Sequence, residues 1–217
     1  MDILNKNKKK LRQLLEDWKD HPSVTDLMDR FDKLQIYTKK KLEKQPTFEL
    51  IEMPYIDCKE DPVRPELDLP FRQAYGRKIY GLKDEEGDIC AIMCFAFTNE
   101  VPKTVEEMDL LSKDAAIQAV HRAGVQGNIA IAYTVWAKKK GGGKHMVNEV
   151  YKMVKKSHHL NRLVTLSPLT EMARKFHIKN GAKELQVNEE TQNFEYDISL
   201  EDWEKALEKA KRFFKLK

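Results

Sequence analysis

Cysteine is scarce in this chain: Cys58, Cys90 and Cys94 are the only three in 217 residues. So few, with no CxxC pair, exclude a disulfide framework, and no credible metal-ligand cluster stands elsewhere in the sequence. Long apolar runs are missing too. The longest, Ile89 to Phe97, is about half of the ~20 residues a membrane helix needs. Neither charge sign dominates, since 39 Lys+Arg oppose 35 Asp+Glu for a net +4. That balance falls short of the basic footprint of a nucleic-acid binder. Lys8–Lys10 and Lys39–Lys41 sit at the polar ends of expected helices and read as solvated faces. The first residues, rich in lysine and asparagine, show no apolar segment followed by a small-residue cleavage site. The expectation is a cytoplasmic protein with no membrane or nucleic-acid partner. Glycine is thin as well, nine in all, yet three of the nine are consecutive.

What is present suffices for a core. Hydrophobic residues make up 41% and charged ones 34%, far from the composition of a disordered chain. The length suits one domain with a small appendage. Leu4, Leu11, Leu14, Leu15 and Trp18, then Val24, Leu27, Met28, Phe31 and Leu34, repeat at helical spacing on either side of His21-Pro22-Ser23. Residues 1–45 therefore read as a helical extension of two amphipathic helices, whose apolar stripes need a partner surface, in this chain or in a second copy. From Thr47 the texture changes, and residues 46–217 read as one domain. Residues 48–52 look like a strand, followed by a loop broken by Pro54, Pro62, Pro65 and Pro70. Residues 78–82 and 88–97 flank Asp84-Glu85-Glu86-Gly87 as a hairpin, in which Cys90, Ile92 and Cys94 share one face as small buried side chains. Thr104-Val105-Glu106-Glu107 is a capping box opening a helix to about Val120. Residues 128–136 form a buried strand, 162–166 another, and 183–187 pairs with 193–198. A short helix ends at Asn180-Gly181, and a C-terminal helix starts near Ser199. The fold class expected is α+β, with a mixed, mostly antiparallel sheet flanked by helices.

The strand at 128–136 runs into Lys138-Lys139-Lys140-Gly141-Gly142-Gly143-Lys144 and then into a helix. Glycines let backbone approach a ligand closely, and the free amides and dipole of a first helical turn favour an anion. The spacing matches neither a Walker loop nor the dinucleotide GxGxxG. Read alone, it is equally a flexible glycine turn.

In its context this loop resembles the GNAT superfamily, whose [R/Q]xxGx[G/A] pattern Lys138-x-x-Gly141-x-Gly143 follows with lysine in first place. The resemblance implies a GNAT-like sheet, CoA pyrophosphate on the loop amides, and a pantetheine arm between strands 128–136 and 162–167. Lys138, Lys140, Gly141, Gly142, Gly143, Lys144, His145 and Val135 are then the CoA-binding candidates. Within that frame, Tyr133 to Gly142, Thr165-Leu166-Ser167-Pro168, Phe176-His177-Ile178-Lys179-Asn180-Gly181-Ala182, Asn188 and Asn193-Phe194-Glu195-Tyr196 resemble, in order, segments of malonyl-CoA decarboxylases. That resemblance implies Ser167 and His177 as the catalytic pair, with Thr165, Asn180 and Tyr133 in support. Two departures stand out. Those proteins are about twice as long, and they carry a long insertion where nine residues separate Ser167 from His177 here.

The residue types suit the implied reaction, malonyl-CoA to acetyl-CoA and CO₂. Loss of CO₂ leaves an enolate, which needs hydrogen-bond donors and then a proton on carbon. A histidine can supply both, a serine hydroxyl can orient the acyl group, and no metal or organic cofactor is required beyond the CoA thioester itself. Two alternatives stay open: a GNAT N-acyltransferase moving an acyl group from CoA to an amine, and a non-catalytic CoA-binding protein. By type alone, Ser167 before Pro168 can instead cap the next helix, and His177 can be a core histidine.

Overall fold

The structure is a computed structural model that describes residues 46–121, 124 and 126–199. The expected helical extension at 1–45, with its surface for a second copy, and the C-terminal helix beyond Ser199 lie outside the described residues.

Strand β1 (Glu49–Glu52) pairs with β2 (Lys78–Lys83), and β2 with β3 (Ile89–Thr98). The turn between β2 and β3 is closed by Asp84, whose carboxylate accepts from the Glu86 and Asp88 amides. Helix α1 (Leu69–Gln73) lies in the proline-rich connection between β1 and β2. The sequence expectation there was loop only. Asp68 caps this helix by accepting from the Phe71 amide at 2.8 Å, and Pro70 fits because a first-turn residue has no intrahelical amide bond to lose.

Helix α2 (Val105–His121) follows β3 and starts with the Thr104 half of the expected capping box, the Glu107 side chain reaching one residue beyond it. Thr104 Oγ1 accepts from the Glu107 amide at 3.1 Å, and Glu107 reaches back to the Lys103 amide at 2.6 Å. Then come β4 (Ile129–Ala137), α3 (Gly142–Lys156), β5 (Arg162–Thr165), β6 (Ser167–Pro168), α4 (Glu171–Lys179), β7 (Lys183–Val187) and β8 (Thr191–Tyr196). Among the described residues the eight strands form one sheet in the order β1-β2-β3-β4-β5-β8-β6, with β7 also on β8. Only β4 and β5 pair in parallel; the rest is antiparallel. The expected fold class is the one found.

Each face of the sheet is covered. On one, Met146, Val147, Val150 and Val154 of α3 pack on Ala91, Met93, Phe95, Ala130 and Ala132. On the other, Met108 of α2 joins Ile79, Ile92, Cys94, Ile131, Val164 and Leu166, with Ile56 and Phe71 from the β1–β2 connection against them. No helix among the described residues is long and apolar enough to cross a membrane.

Two local features shape the centre of the sheet. Cys94 pairs with Thr134 and Phe95 with Ala132, so Tyr133 is an extra residue in β4. Such a bulge re-aims the side chains beyond it. The parallel pairing of β4 and β5 also stops early: its last bond runs from the Leu166 amide to the Ala132 carbonyl at 2.9 Å. Beyond it β4 continues to Ala137 while the other chain turns away, Ser167 pairing with Gln192 of β8. The sheet therefore forks at this point.

Candidate active site

The glycine run is held by specific contacts. The amides of Lys138 and Lys139 both donate to the Cys90 carbonyl, at 2.7 and 3.0 Å, which folds the end of β4 onto β3. Gly141 then takes φ 85°, a conformation that costs glycine least. Gly142 lies against β3 so closely that a Cβ would come within 2.5 Å of the Cys90 carbonyl oxygen. Among the described residues no acceptor takes the amide hydrogens of Lys140, Gly141 or Gly143. They stand at the positive end of the α3 dipole, where an anion is favoured.

The neighbouring candidates divide. Lys140 and Lys144 are exposed beside the loop. Lys138 turns to Glu60, with Nζ at 2.5 Å from the carboxylate. The His145 ring stacks on Phe48 with centroids 4.4 Å apart. Lys139 meets Asp84 and Asp88 at 2.7 Å each and Glu86 at 3.5 Å. The hydrogen bond to Asp84, then that to Asp88, pushes the Lys139 ammonium above the ordinary lysine range. These three carboxylates are near enough to share a cation, and the lysine ammonium already supplies one.

A cavity of about 260 Å³ opens between β4, α3 and α4. Val135, Gly143, Val147, Ser167, Phe176 and His177 are on its wall, and among the described residues no charged side chain lines it. Gly143 belongs both to the loop and to this wall, and a Cβ there would press on the Phe176 ring at 3.3 Å. The fold thus brings the glycine turn and the Ser167–His177 pair to one cavity, although 24 positions separate Gly143 from Ser167.

Four side chains form a hydrogen-bonded row along that wall. Thr165 Oγ1 is 3.1 Å from Ser167 Oγ, Ser167 Oγ is 2.9 Å from His177 Nε2, and His177 Nδ1 is 2.9 Å from the Tyr196 hydroxyl. The Phe194 amide donates to Thr165 Oγ1 at 3.1 Å and anchors the near end. The His177 ring stacks on Phe194, centroids 5.0 Å apart, and meets Phe176 edge-on. Burial in this aromatic slot lowers the His177 pKa to about 4, so the ring is neutral at pH 7. Burial likewise pushes the Tyr196 phenol above its ordinary range, which keeps it protonated. The row has two proton arrangements. With Nδ1–H donating to Tyr196, Nε2 is a base and accepts from Ser167 once the Ser167 hydroxyl, which otherwise donates to Thr165 Oγ1, turns and accepts from Thr165 instead. With the Tyr196 hydroxyl donating to Nδ1, Nε2–H points toward Ser167 and the cavity as a donor.

Ser167 does not cap α4; Thr170 does, accepting from the Ala173 amide at 3.2 Å. Val135, a CoA-binding candidate, lines the cavity, and among the supporting candidates Thr165 is in the row. Asn180 closes the C-terminal end of α4, its Nδ2 donating to the Phe176 carbonyl at 2.9 Å. Tyr133 also lines the cavity, but its ring meets Phe71 on the opposite face of the sheet, where its buried hydroxyl lies by the Cys94 thiol.

Two residues escaped the sequence reading. Tyr196 lay in the Asn193–Tyr196 run and was quoted for likeness, without a role. Arg64 had a fainter signal, a lone basic residue between Pro62 and Pro65 in an acidic loop. Its Nε donates to the Tyr133 carbonyl at 2.9 Å and its Nη2 to the Leu166 carbonyl at 3.1 Å. Behind it, Asp61 pairs with Arg72 at 2.8 Å, both side chains fully buried, and accepts from Thr134 Oγ1 at 2.9 Å.

No protein-family model matches the chain. No curated protein matches it either. Solved structures do. A GNAT-family acetyltransferase from Listeria monocytogenes is 12% identical over 58% of this chain and 66% of its own, with a TM-score of 0.40. The N-acetyltransferase PseH of Campylobacter jejuni is 15% identical over 70% of this chain and 99% of its own, at 0.44. The malonyl-CoA decarboxylase of Cupriavidus metallidurans is 19% identical over 60% of this chain, at 0.41. This chain spans 33% of the decarboxylase and slightly under two thirds of the Listeria protein. A likeness of this degree leaves the activity open.

Proposed function

We propose that this chain is an acyl-CoA-utilising enzyme in which Ser167 and His177 act at the thioester end. The observation that carries the reading is the 2.9 Å contact of Ser167 Oγ with His177 Nε2 in the cavity that Gly143 also lines. The loop amides, with Lys140 and Lys144, are suited to the CoA pyrophosphate, and the fork between β4 and β5 to the pantetheine arm.

Two reactions fit this site. Transfer of the acyl group to an amine comes first. A serine hydroxyl, a neutral imidazole and a phenol that orients it form a hydroxyl–base–orienter row, the arrangement that serves acyl transfer. As the amine nitrogen bonds to the thioester carbon and the C–S bond breaks, Nε2 takes the amine proton directly or through Ser167, and the thiolate leaves. Acyl transfer is also what the two acetyltransferase neighbours are named for, although their likeness adds no weight. Decarboxylation, the first expectation from the sequence resemblance, stands second. The apolar wall favours it, because a substrate carboxylate held there without a cation is raised in energy relative to the spread charge of an enolate. In the donor arrangement, Nε2–H would hydrogen-bond the enolate oxygen as CO₂ departs.

Incubating the full chain with malonyl-CoA and, separately, with acetyl-CoA plus a panel of amines separates the readings. Free thiol only when amine is present marks the transferase, and CO₂ without amine the decarboxylase. Either activity should fall roughly 10²–10⁴-fold in His177→Ala, the range for a lost acid–base group, with CoA affinity nearly unchanged. CoA binding with no turnover would leave a binding protein, and no CoA binding at all would remove the proposal.

A further inference from the structure

The geometry points to Arg64 as a positioning residue, one that keeps the β4–β5 fork open and fixes the peptide leading into Ser167. Its guanidinium spans the fork at the first place where the strands no longer bond to each other. After the Leu166 amide bonds to Ala132, the next bond of a regular parallel ladder would join the Thr134 amide to the Leu166 carbonyl. That carbonyl is instead held by Arg64 Nη2 at 3.1 Å, while Nε holds the Tyr133 carbonyl at the bulge, 2.9 Å away. One rigid planar group therefore ties both prongs. The Leu166 carbonyl belongs to the same peptide as the Ser167 nitrogen, so its orientation sets where Ser167 starts. Ser167 in turn sets the contact with His177.

The environment makes a packing role a poor explanation. Arg64 is only 8% exposed, and no carboxylate lies within ion-pair distance of its guanidinium among the described residues. Asp61 bonds to its backbone amide at 3.2 Å while pairing its charge with Arg72. Burial consequently lowers the Arg64 pKa, with Glu66, Asp61 and Glu106 acting against that from a distance. A buried cation without a bonded anion is costly. An apolar side chain would fill the same space at lower cost, but only a fork of fixed donors satisfies two diverging carbonyls at once. Lysine keeps the charge and loses that fork.

The test uses the full chain and has one arm independent of any variant and of the proposed function. In the wild type, NMR should show the Arg64 Nε and Nη hydrogens as separate, slowly exchanging signals. A single averaged, fast-exchanging set would overturn the inference. In Arg64→Lys and Arg64→Gln, the His177 ring-nitrogen signals should shift, because the Ser167 contact is displaced, while affinity for CoA stays within about threefold. A misplacement of this kind costs on the order of 10²-fold in turnover, expected in kcat with KM little changed. Wild-type His177 signals and wild-type kcat in folded Arg64→Lys would sink it, since charge alone would then suffice. The turnover arm rests on the proposed function. If the wild type turned over no acyl-CoA, that reading would fail, and the Arg64 and His177 signals would still decide this one.

Discussion

At the scale of single residues, His177 is governed by the absence of water around it. Its only charged-form cost is burial, which brings its pKa from 6.5 to about 4. Between these two values the unfolded chain binds the proton and the folded one does not, so stability decreases as pH falls through that window. Above pH 6.5 the contribution is constant; across the window the loss reaches about 3 kcal/mol. An NMR titration should place the His177 midpoint near 4, and urea unfolding at pH 7 and 5 should differ less in His177→Gln than in wild type. A midpoint near 6.5 would mean the ring is solvated. Gly142 shows a second kind of control, by space. An added methyl would meet the Cys90 carbonyl at 2.5 Å, an atom of the strand backbone that cannot swing aside. Gly142→Ala should therefore destabilise by about 1–3 kcal/mol, checked by urea midpoint, whereas Gly143→Ala meets only the edge of a movable ring.

At the scale of elements, the helix ends decide which serine and threonine hydroxyls are structural. Thr104 and Thr170 each accept from the amide three residues on, and alanine at either should cost about 1 kcal/mol. Ser167 accepts from no helix amide among the described residues and faces His177 instead. Ser167→Ala should consequently lower turnover by far more than the about 1–3 kcal/mol of stability that its two buried hydrogen bonds represent, while Thr170→Ala should lower stability and leave turnover close to wild type. A Ser167→Ala variant that loses both alike would return Ser167 to a purely structural role. The same reasoning applies to β4, where one extra residue at Tyr133 sends Val135 to the cavity wall and Thr134 to Asp61 on the other face. A strict alternation read from the sequence would not place both.

At the scale of the whole domain, the proline-rich connection between β1 and β2 fastens the centre of the sheet from one side. Asp61, bonded to Arg72 and Thr134, joins residues up to 73 positions apart. Asp61→Ala would leave a buried, unpaired Arg72, and should cost about 3–5 kcal/mol, measurable as a large drop in urea midpoint. Exposed pairs such as Lys175–Glu171 should contribute well under 1 kcal/mol. The sequence by itself determined whatever is settled within a few residues. The turn between two strand-like runs placed β2 and β3, a continuous apolar and β-branched run placed β4, helical spacing placed α3, the capping box opened α2, and the three glycines marked a loop able to present bare amides. Ser167 and His177 were named through likeness, because neither their spacing nor their type states that they touch. Only the tertiary structure decided that α4 returns His177 to Ser167, that β8 adds Tyr196 beyond it, and that Arg64 reaches across the fork to Leu166, 102 positions away. Periodicity records which face a side chain takes, whereas these contacts depend on where separate strands and helices end up, which is fixed by the packing of the entire sheet.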